Sequence, residues 1–211
     1  MEQTTTAPQI ETKEELREHY GPANERSVKK QMAKLDEHAK SFIALSPFMV
    51  ISSATAEGAD ASPKGDPPGF VKVIDDNTLI IPDRPGNNRV DTMSNIVENN
   101  HVGLLFLVPG MCETLRVNGR ARITTDPEVL EPHSVKGRLP RSAMIIDVDD
   151  VYLHCGKALI RADLWNAEKN IERKSFPSMG QMLSDQIAED GYGDGEELNK
   201  GIQERYKTDL Y

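Results

Sequence analysis

Apolar residues recur at spacings of three and four between residues 13 and 46, at Leu16, Val28, Met32, Leu35, Ala39, Phe42, Ile43 and Leu45. That rhythm predicts two or three short helices, broken at Gly21-Pro22. From Phe48 the rhythm changes. Phe48-Met49-Val50-Ile51-Ser52-Ser53 is a short apolar run between Pro47 and the polar Glu57-Gly58-Ala59-Asp60, the pattern of a buried strand. Further strands are predicted over residues 70–74, 79–81, 102–108, 114–124 and 143–153, with turn signals at Asp75-Asp76-Asn77, Pro109-Gly110 and Pro140. Residues 88–99 interrupt them as a helix with Val90, Met93, Ile96 and Val97 on one side. Asn88 reads as its N-cap, and Asp91 puts a negative charge in its first turn. Beyond Leu153 the chain reads as a short helix over 155–161, an Asp163-Leu164-Trp165 corner, and helices over 179–189 and 196–207.

Six strands around one inserted helix predict a mainly β (α+β) fold, an antiparallel barrel rather than a doubly wound sheet. Residues 1–46 form a helical N-terminal lead-in, of which 1–12 read as extended or disordered. Residues 47–165 form the barrel domain, and 166–211 a C-terminal helical extension packed on it. At 211 residues, 37 % hydrophobic and 5 % aromatic, the core leans on aliphatic side chains and Met. A formal net charge of −9 argues against nucleic acid as a partner, because a phosphate backbone needs a basic face. Two cysteines, Cys112 and Cys155, make no disulfide framework, and a reducing compartment fits them better. With no signal pattern and no apolar run of spanning length, the expectation is a soluble cytoplasmic protein.

Against that acidic background, local positive charge asks for a reason. Arg84 and Arg89 flank Pro85-Gly86-Asn87-Asn88, which opens the inserted helix. A helix start presents unpaired backbone N–H groups and the positive end of the peptide dipoles, so the segment suits a phosphate; it equally suits a surface loop with solvated arginines and a cap. Along 114–124, Leu115, Val117, Gly119, Ala121 and Ile123 point one way, and Thr114, Arg116, Asn118, Arg120 and Arg122 the other. Those arginines could meet an anionic ligand, or pair with acids on a neighbouring strand or a second subunit. Lys157, Arg161 and Trp165 recur at fourfold spacing, as in a helix that packs its Trp while two basic side chains reach solvent. His154-Cys155 lacks a second ligand pair, so no metal site is expected. Residues 190–195 resemble a calcium loop or nucleotide fingerprint too loosely to be either, and no Ser–His–Asp arrangement stands out.

Four segments resemble the flavin-binding relatives of pyridoxamine 5'-phosphate oxidase: Ser62-Pro63-Lys64-Gly65-Asp66, Ile81-Pro82-Asp83-Arg84-Pro85-Gly86-Asn87-Asn88-Arg89, Gly103-Leu104-Leu105-Phe106 and Glu113-Thr114-Leu115-Arg116-Val117-Asn118-Gly119. The likeness runs from about Tyr20 to Trp165, and within that superfamily points to a bacterial FMN-binding branch. It implies a six-stranded split β-barrel that forms a homodimer, with FMN in two equivalent clefts between subunits. Ser62, Pro63, Lys64 and Gly65 would lie on a strand beside the flavin ring. Asp83 and Arg84 would end the following strand, and Asn87, Asn88 and Arg89 would hold the phosphate. Thr114 and Arg116 would approach from the next strand, and Lys157, Arg161 and Trp165 would close the cleft. Lys64 or Arg116 would stabilise negative charge on the reduced ring. The C-terminal Arg and His of the true oxidases, which hold the substrate phosphate, have no counterpart in residues 166–211. The implied function is therefore an FMN-dependent oxidoreductase that takes electrons from a nicotinamide and passes them to a small acceptor. The alternatives are a non-catalytic flavin carrier or sensor, and a deazaflavin-dependent reductase. No general acid or base can be named.

Overall fold

The computed structural model describes residues 9–187 and 193–211. The start of the extended N-terminus, the end of the helix expected to 189 and half of the glycine-rich 190–195 stretch lie outside the described residues.

The lead-in forms three short helices, α1 (Lys13–Tyr20), α2 (Glu25–Lys29) and α3 (Glu37–Leu45). Each starts on a side-chain cap. Thr12 and Glu15 make a reciprocal capping box at α1, Asn24 accepts from Arg26 N, and Asp36 accepts from Ala39 N. Of the apolar positions that marked this region, Leu35, Ala39, Phe42 and Ile43 are buried, whereas Leu16, Val28 and Leu45 are exposed. Only α3 and its approach therefore belong to the core.

Seven strands follow: β1 (Phe48–Ala54), β2 (Ala59–Gly65), β3 (Lys72–Val73), β4 (Thr78–Pro82), β5 (His101–Leu107), β6 (Thr114–Thr124) and β7 (Ala143–His154). They form one antiparallel sheet in the order β2-β1-β5-β6-β7-β4-β3. This corrects the expected six-stranded barrel twice. There are seven strands, and no ladder among the described residues joins the two ends of the sheet, so it curls without closing. The strand that patterning leaves out, β2, where only the family resemblance put Ser62 to Gly65, reads Ala-Asp-Ala-Ser-Pro-Lys-Gly and is small, polar and mostly exposed, so it carries no apolar signal. It also contains Pro63, which a sheet tolerates at an edge. The strand expected over 70–74 shrinks to Lys72–Val73 at the opposite edge, while Phe70 and Val71 turn into the core.

The sheet wraps a core that includes Met49, Ile51, Leu79, Ile81, Phe106 and Ile146, all fully buried. The alternation read along 114–124 holds over most of the strand, with Leu115, Val117 and Ala121 buried and Arg120 and Arg122 exposed, but Thr114, expected on the polar face, is buried where the strand begins. At Gly119 the β6–β7 register shifts, and any Cβ there would collide with the Asp147 carbonyl oxygen. The inserted helix, α4 (Asp91–Glu98), begins at Asp91 instead of Asn88. Asn88 and Val90 both have positive φ, 58° and 54°, so the chain cannot enter a right-handed helix until it has passed them. Asn88 is not the N-cap; Val90 holds that place and offers no side-chain acceptor.

After β6 comes a short helix, α5 (Pro127–Leu130), and after β7 come α6 (Lys157–Ala162), α7 (Met179–Ile187) and α8 (Gly195–Thr208). The last two pack on each other, with Gly180 so close to the backbone of Gly195 and Asn199 that no larger residue would fit. Among the described residues no helix is long and apolar enough to cross a membrane.

Candidate functional site

A cavity of about 390 Å³ opens where the curled sheet brings β2 near the end of β4. Ser62, Pro63 and Lys64 line it from β2, Asp83 and Arg84 from the end of β4, and Asn87, Asn88 and Arg89 from the loop. The start of α4, Val90 to Met93, completes the wall. Local chemistry builds this loop. Asp83 N donates to Ser142 O, which holds the exit of β4 against β7. The Asn87 side chain accepts from Arg89 N, the hydrogen bond of an Asx turn. The two left-handed residues then turn the chain so that α4 starts with no side chain capping its first N–H groups. Those groups, with the helix dipole behind them, favour an anion. A hydrogen bond of 2.9 Å from Thr92 Oγ1 to Ser62 Oγ ties the helix start to β2.

The cations around the cavity differ in how firmly they are engaged. Arg89 is solvent-facing, and its Nε donates to Asp91 at 2.8 Å; that carboxylate raises the arginine's already high pKa. Such an exposed pair is easily exchanged for another anion. Lys64 Nζ lies 3.4 Å from Asp83 Oδ1, a long and weak contact that leaves the ammonium available. Arg84 is committed. Its Nε donates to Asp66 at 2.6 Å and its Nη1 to the His133 carbonyl at 2.8 Å, and the Asp66 side chain is only 3 % exposed.

Eight residues expected at the site line this one cavity: Ser62, Pro63, Lys64, Asp83, Arg84, Asn87, Asn88 and Arg89. The others lie elsewhere in the chain. Gly65 closes β2 beside the Pro47 carbonyl. Thr114 is buried on β6, opposite His154. Arg116 donates to the Tyr152 hydroxyl at 2.7 Å, and Lys30 stands 5.4 Å from the same ring. Beside them, burial first, then Arg116 and Lys30, push the His154 pKa below its ordinary value, and its Nε2 has no hydrogen-bond partner among the described residues. Lys157 and Arg161 belong to α6, and Trp165 donates from Nε1 to Met111 O. The two open readings of the strand arginines resolve for Arg120 and Arg122, which pair with Asp149 and Asp147 on β7.

Two participants escape a reading by pattern. Arg141 donates to Asn88 Oδ1 at 3.1 Å, adding a cation behind the loop, and Asp66 anchors Arg84. Nothing in the Leu139-Pro140-Arg141 stretch marks that role, whereas Asp66 already stood inside a suggestive motif. A second hollow of about 430 Å³, lined in part by His101, Asn118, Asp149 and Asp150, contains no Lys or Arg and does not suit an anion. Among the described residues no three His, Cys, Asp or Glu side chains are placed to hold a metal.

Comparison with known proteins adds the family. No curated protein matches the chain. Among solved structures, HupZ from Group A Streptococcus is 21 % identical, over 56 % of this chain and 93 % of that one, with a TM-score of 0.46. General Stress Protein 26 from Bacillus anthracis is 16 % identical, over 55 % of this chain and 93 % of that one, with a TM-score of 0.42. An FAD-binding protein from Mesorhizobium loti is 14 % identical, over 58 % of this chain and 94 % of that one, with a TM-score of 0.41. The family model for pyridoxamine 5'-phosphate oxidase matches residues 35–155, which include α3, all seven strands and every residue lining the cavity. With more than half of its length matched, the chain belongs to the pyridoxamine 5'-phosphate oxidase family.

Proposed function

We propose that the protein is an FMN-dependent oxidoreductase, reduced by a nicotinamide and passing electrons to a small acceptor. The observation that carries this is one cavity holding both a phosphate-type cradle and a loosely engaged ammonium, Lys64, on the adjoining strand. The residues present fit the group. Uncapped N–H groups of α4, the carboxamides of Asn87 and Asn88 and the exposed Arg89 are donors of the kind a phosphomonoester takes. When bound, the flavin supplies reversible hydride chemistry, and the protein supplies position and charge. Arg89 and the loop hold the phosphate. Lys64 Nζ offers positive charge to whatever anion develops on the ring, and the Thr92–Ser62 hydrogen bond keeps the strand and the helix start in register. We assign the cleft's completion to a second copy of the chain, with Arg116 and the Lys157–Trp165 segment approaching from it. Exposed apolar side chains at Phe48, Leu153, Ile160 and Trp165 support such a face.

The absorption spectrum of the protein reconstituted with FMN, before and after anaerobic mixing with NADH and NADPH, tests the proposal. Stoichiometric bleaching followed by turnover with an acceptor is the expected result. A flavin that binds but resists both nucleotides makes the protein a carrier or sensor. Retention of a deazaflavin in place of FMN shifts it to that class of reductase, and failure to retain either refutes the reading.

A further inference from the structure

Tyr211, which follows α8, reaches back across the molecule to the loop beyond β2. Its hydroxyl donates to Asp66 Oδ1 at 2.7 Å, while the other oxygen of that carboxylate accepts from Arg84 Nε. Its backbone carbonyl accepts from Arg138 Nη1 at 2.6 Å. The Arg84 guanidinium stands 5.7 Å from the ring centroid and the Lys136 ammonium 5.5 Å, so two cations face one aromatic ring. Two recesses of about 220 and 160 Å³ both include Arg84, Val135 and Tyr211 in their walls, so the tyrosine borders both. Pro67, Pro68 and Pro132 stiffen the larger one.

The Asp66 side chain is 3 % exposed, and among the described residues its Oδ1 has the phenol as its donor. Withdrawal of Tyr211 would leave that carboxylate oxygen without its protein donor, and an incoming hydroxyl would replace it. Charge narrows the class further. A carboxylate or phenolate at that end would face Asp66, and a cation on the ring would face Arg84 and Lys136. The same Asp66 hydrogen bond, with burial, holds the Tyr211 pKa above its ordinary value and so keeps the phenol neutral. The tyrosine is also poorly anchored by its own helix, since α8 packs chiefly on α7 and not on the sheet.

We propose that the recess Tyr211 fills is a binding site for a small neutral phenol, and that Tyr211 is a built-in competitor which must leave before such a ligand enters. Arg84 lines both this recess and the neighbouring cavity, so the ligand would lie next to the proposed flavin site. The inference stands on the recess alone and does not need flavin to bind. A tethered competitor acts at an effective concentration of the order of millimolar, which masks a weak site in the intact chain.

The test is calorimetric titration of the full-length protein, without flavin, using N-acetyltyrosinamide and its hydroxyl-free partner N-acetylphenylalaninamide. Tyr211→Ala should bind the tyrosine compound at least tenfold more tightly than the native chain does. It should also prefer it severalfold over the phenylalanine compound, and Asp66→Asn added to Tyr211→Ala should lower that preference. Equal affinity of Tyr211→Ala and the native protein, or no hydroxyl preference, would overturn the proposal. If Tyr211→Ala loses its fold by circular dichroism, Tyr211→Phe is titrated instead. Tighter binding of the tyrosine compound by that variant than by the native chain supports the proposal, and its absence overturns it.

Discussion

Arg84 and Arg89 stand five residues apart in one motif, yet Arg84 is held by a buried carboxylate and Arg89 by an exposed one, and exchanging each for alanine should separate stability from ligand binding. Arg84→Ala removes the partner of a carboxylate that is almost wholly buried. Breaking a buried pair from one side costs about 3–5 kcal/mol, because the surviving charge is left uncompensated. The Tyr211 hydroxyl still donates to Asp66, which pulls the figure down; loss of the bond to the His133 carbonyl adds about 1 kcal/mol. A net loss of about 3–4 kcal/mol follows, or a fall of about 1–2 M in the urea midpoint. Asp66→Asn added to Arg84→Ala should recover much of it, since the stranded charge is then gone. Arg89→Ala removes an exposed contact to Asp91 whose contribution to stability is about 1 kcal/mol or less. Its effect should fall on FMN instead: a charge-assisted hydrogen bond is worth about 1.5–3 kcal/mol, so affinity drops by about 10- to 100-fold. Urea unfolding and flavin fluorescence titration of the two variants read both effects. An Arg84→Ala protein as stable as the native one, or an Arg89→Ala protein that keeps its full flavin affinity, would refute the division of labour.

Gly119→Ala forces a Cβ into the Asp147 carbonyl, where only backbone can yield, so it should destabilise by about 3 kcal/mol or more, measured as a lower thermal midpoint. Thr92→Val leaves Ser62 without its partner and should cost about 1 kcal/mol of stability in urea, with weaker FMN retention because β2 and α4 are no longer tied. Burial, then Lys72 and Arg84, hold the His133 pKa below the 6.5 of a free side chain. The unfolded chain therefore binds a proton that the folded one refuses, so the stabilisation is complete above pH 6.5 and is lost as pH falls toward the folded value. Urea midpoints at about pH 7.5 and 5.5 should differ more for the native protein than for His133→Gln, and equal differences would contradict this assignment.

Periodicity and local chemistry already specify part of this fold. Period-two alternation marked β6, apolar runs marked β1, β5 and β7, and three-and-four apolar spacing marked α3. The Arg84–Arg89 motif marked the loop of the cavity wall, because proline, glycine and asparagine favour a turn wherever they fall. Tertiary structure alone decided the rest. β2 is a strand because it pairs with β1 at a sheet edge, not because its small polar residues prefer one. The start of α4 shifted because the backbone is left-handed at Asn88 and Val90, and nothing in the β-branched Val90 side chain announces that conformation. Which arginine is free and which is committed depends on Asp66 and His133, and the occupant of the recess depends on Tyr211, far along the chain. Such partners meet only when the sheet has curled, and no local pattern records a contact between residues so distant in sequence.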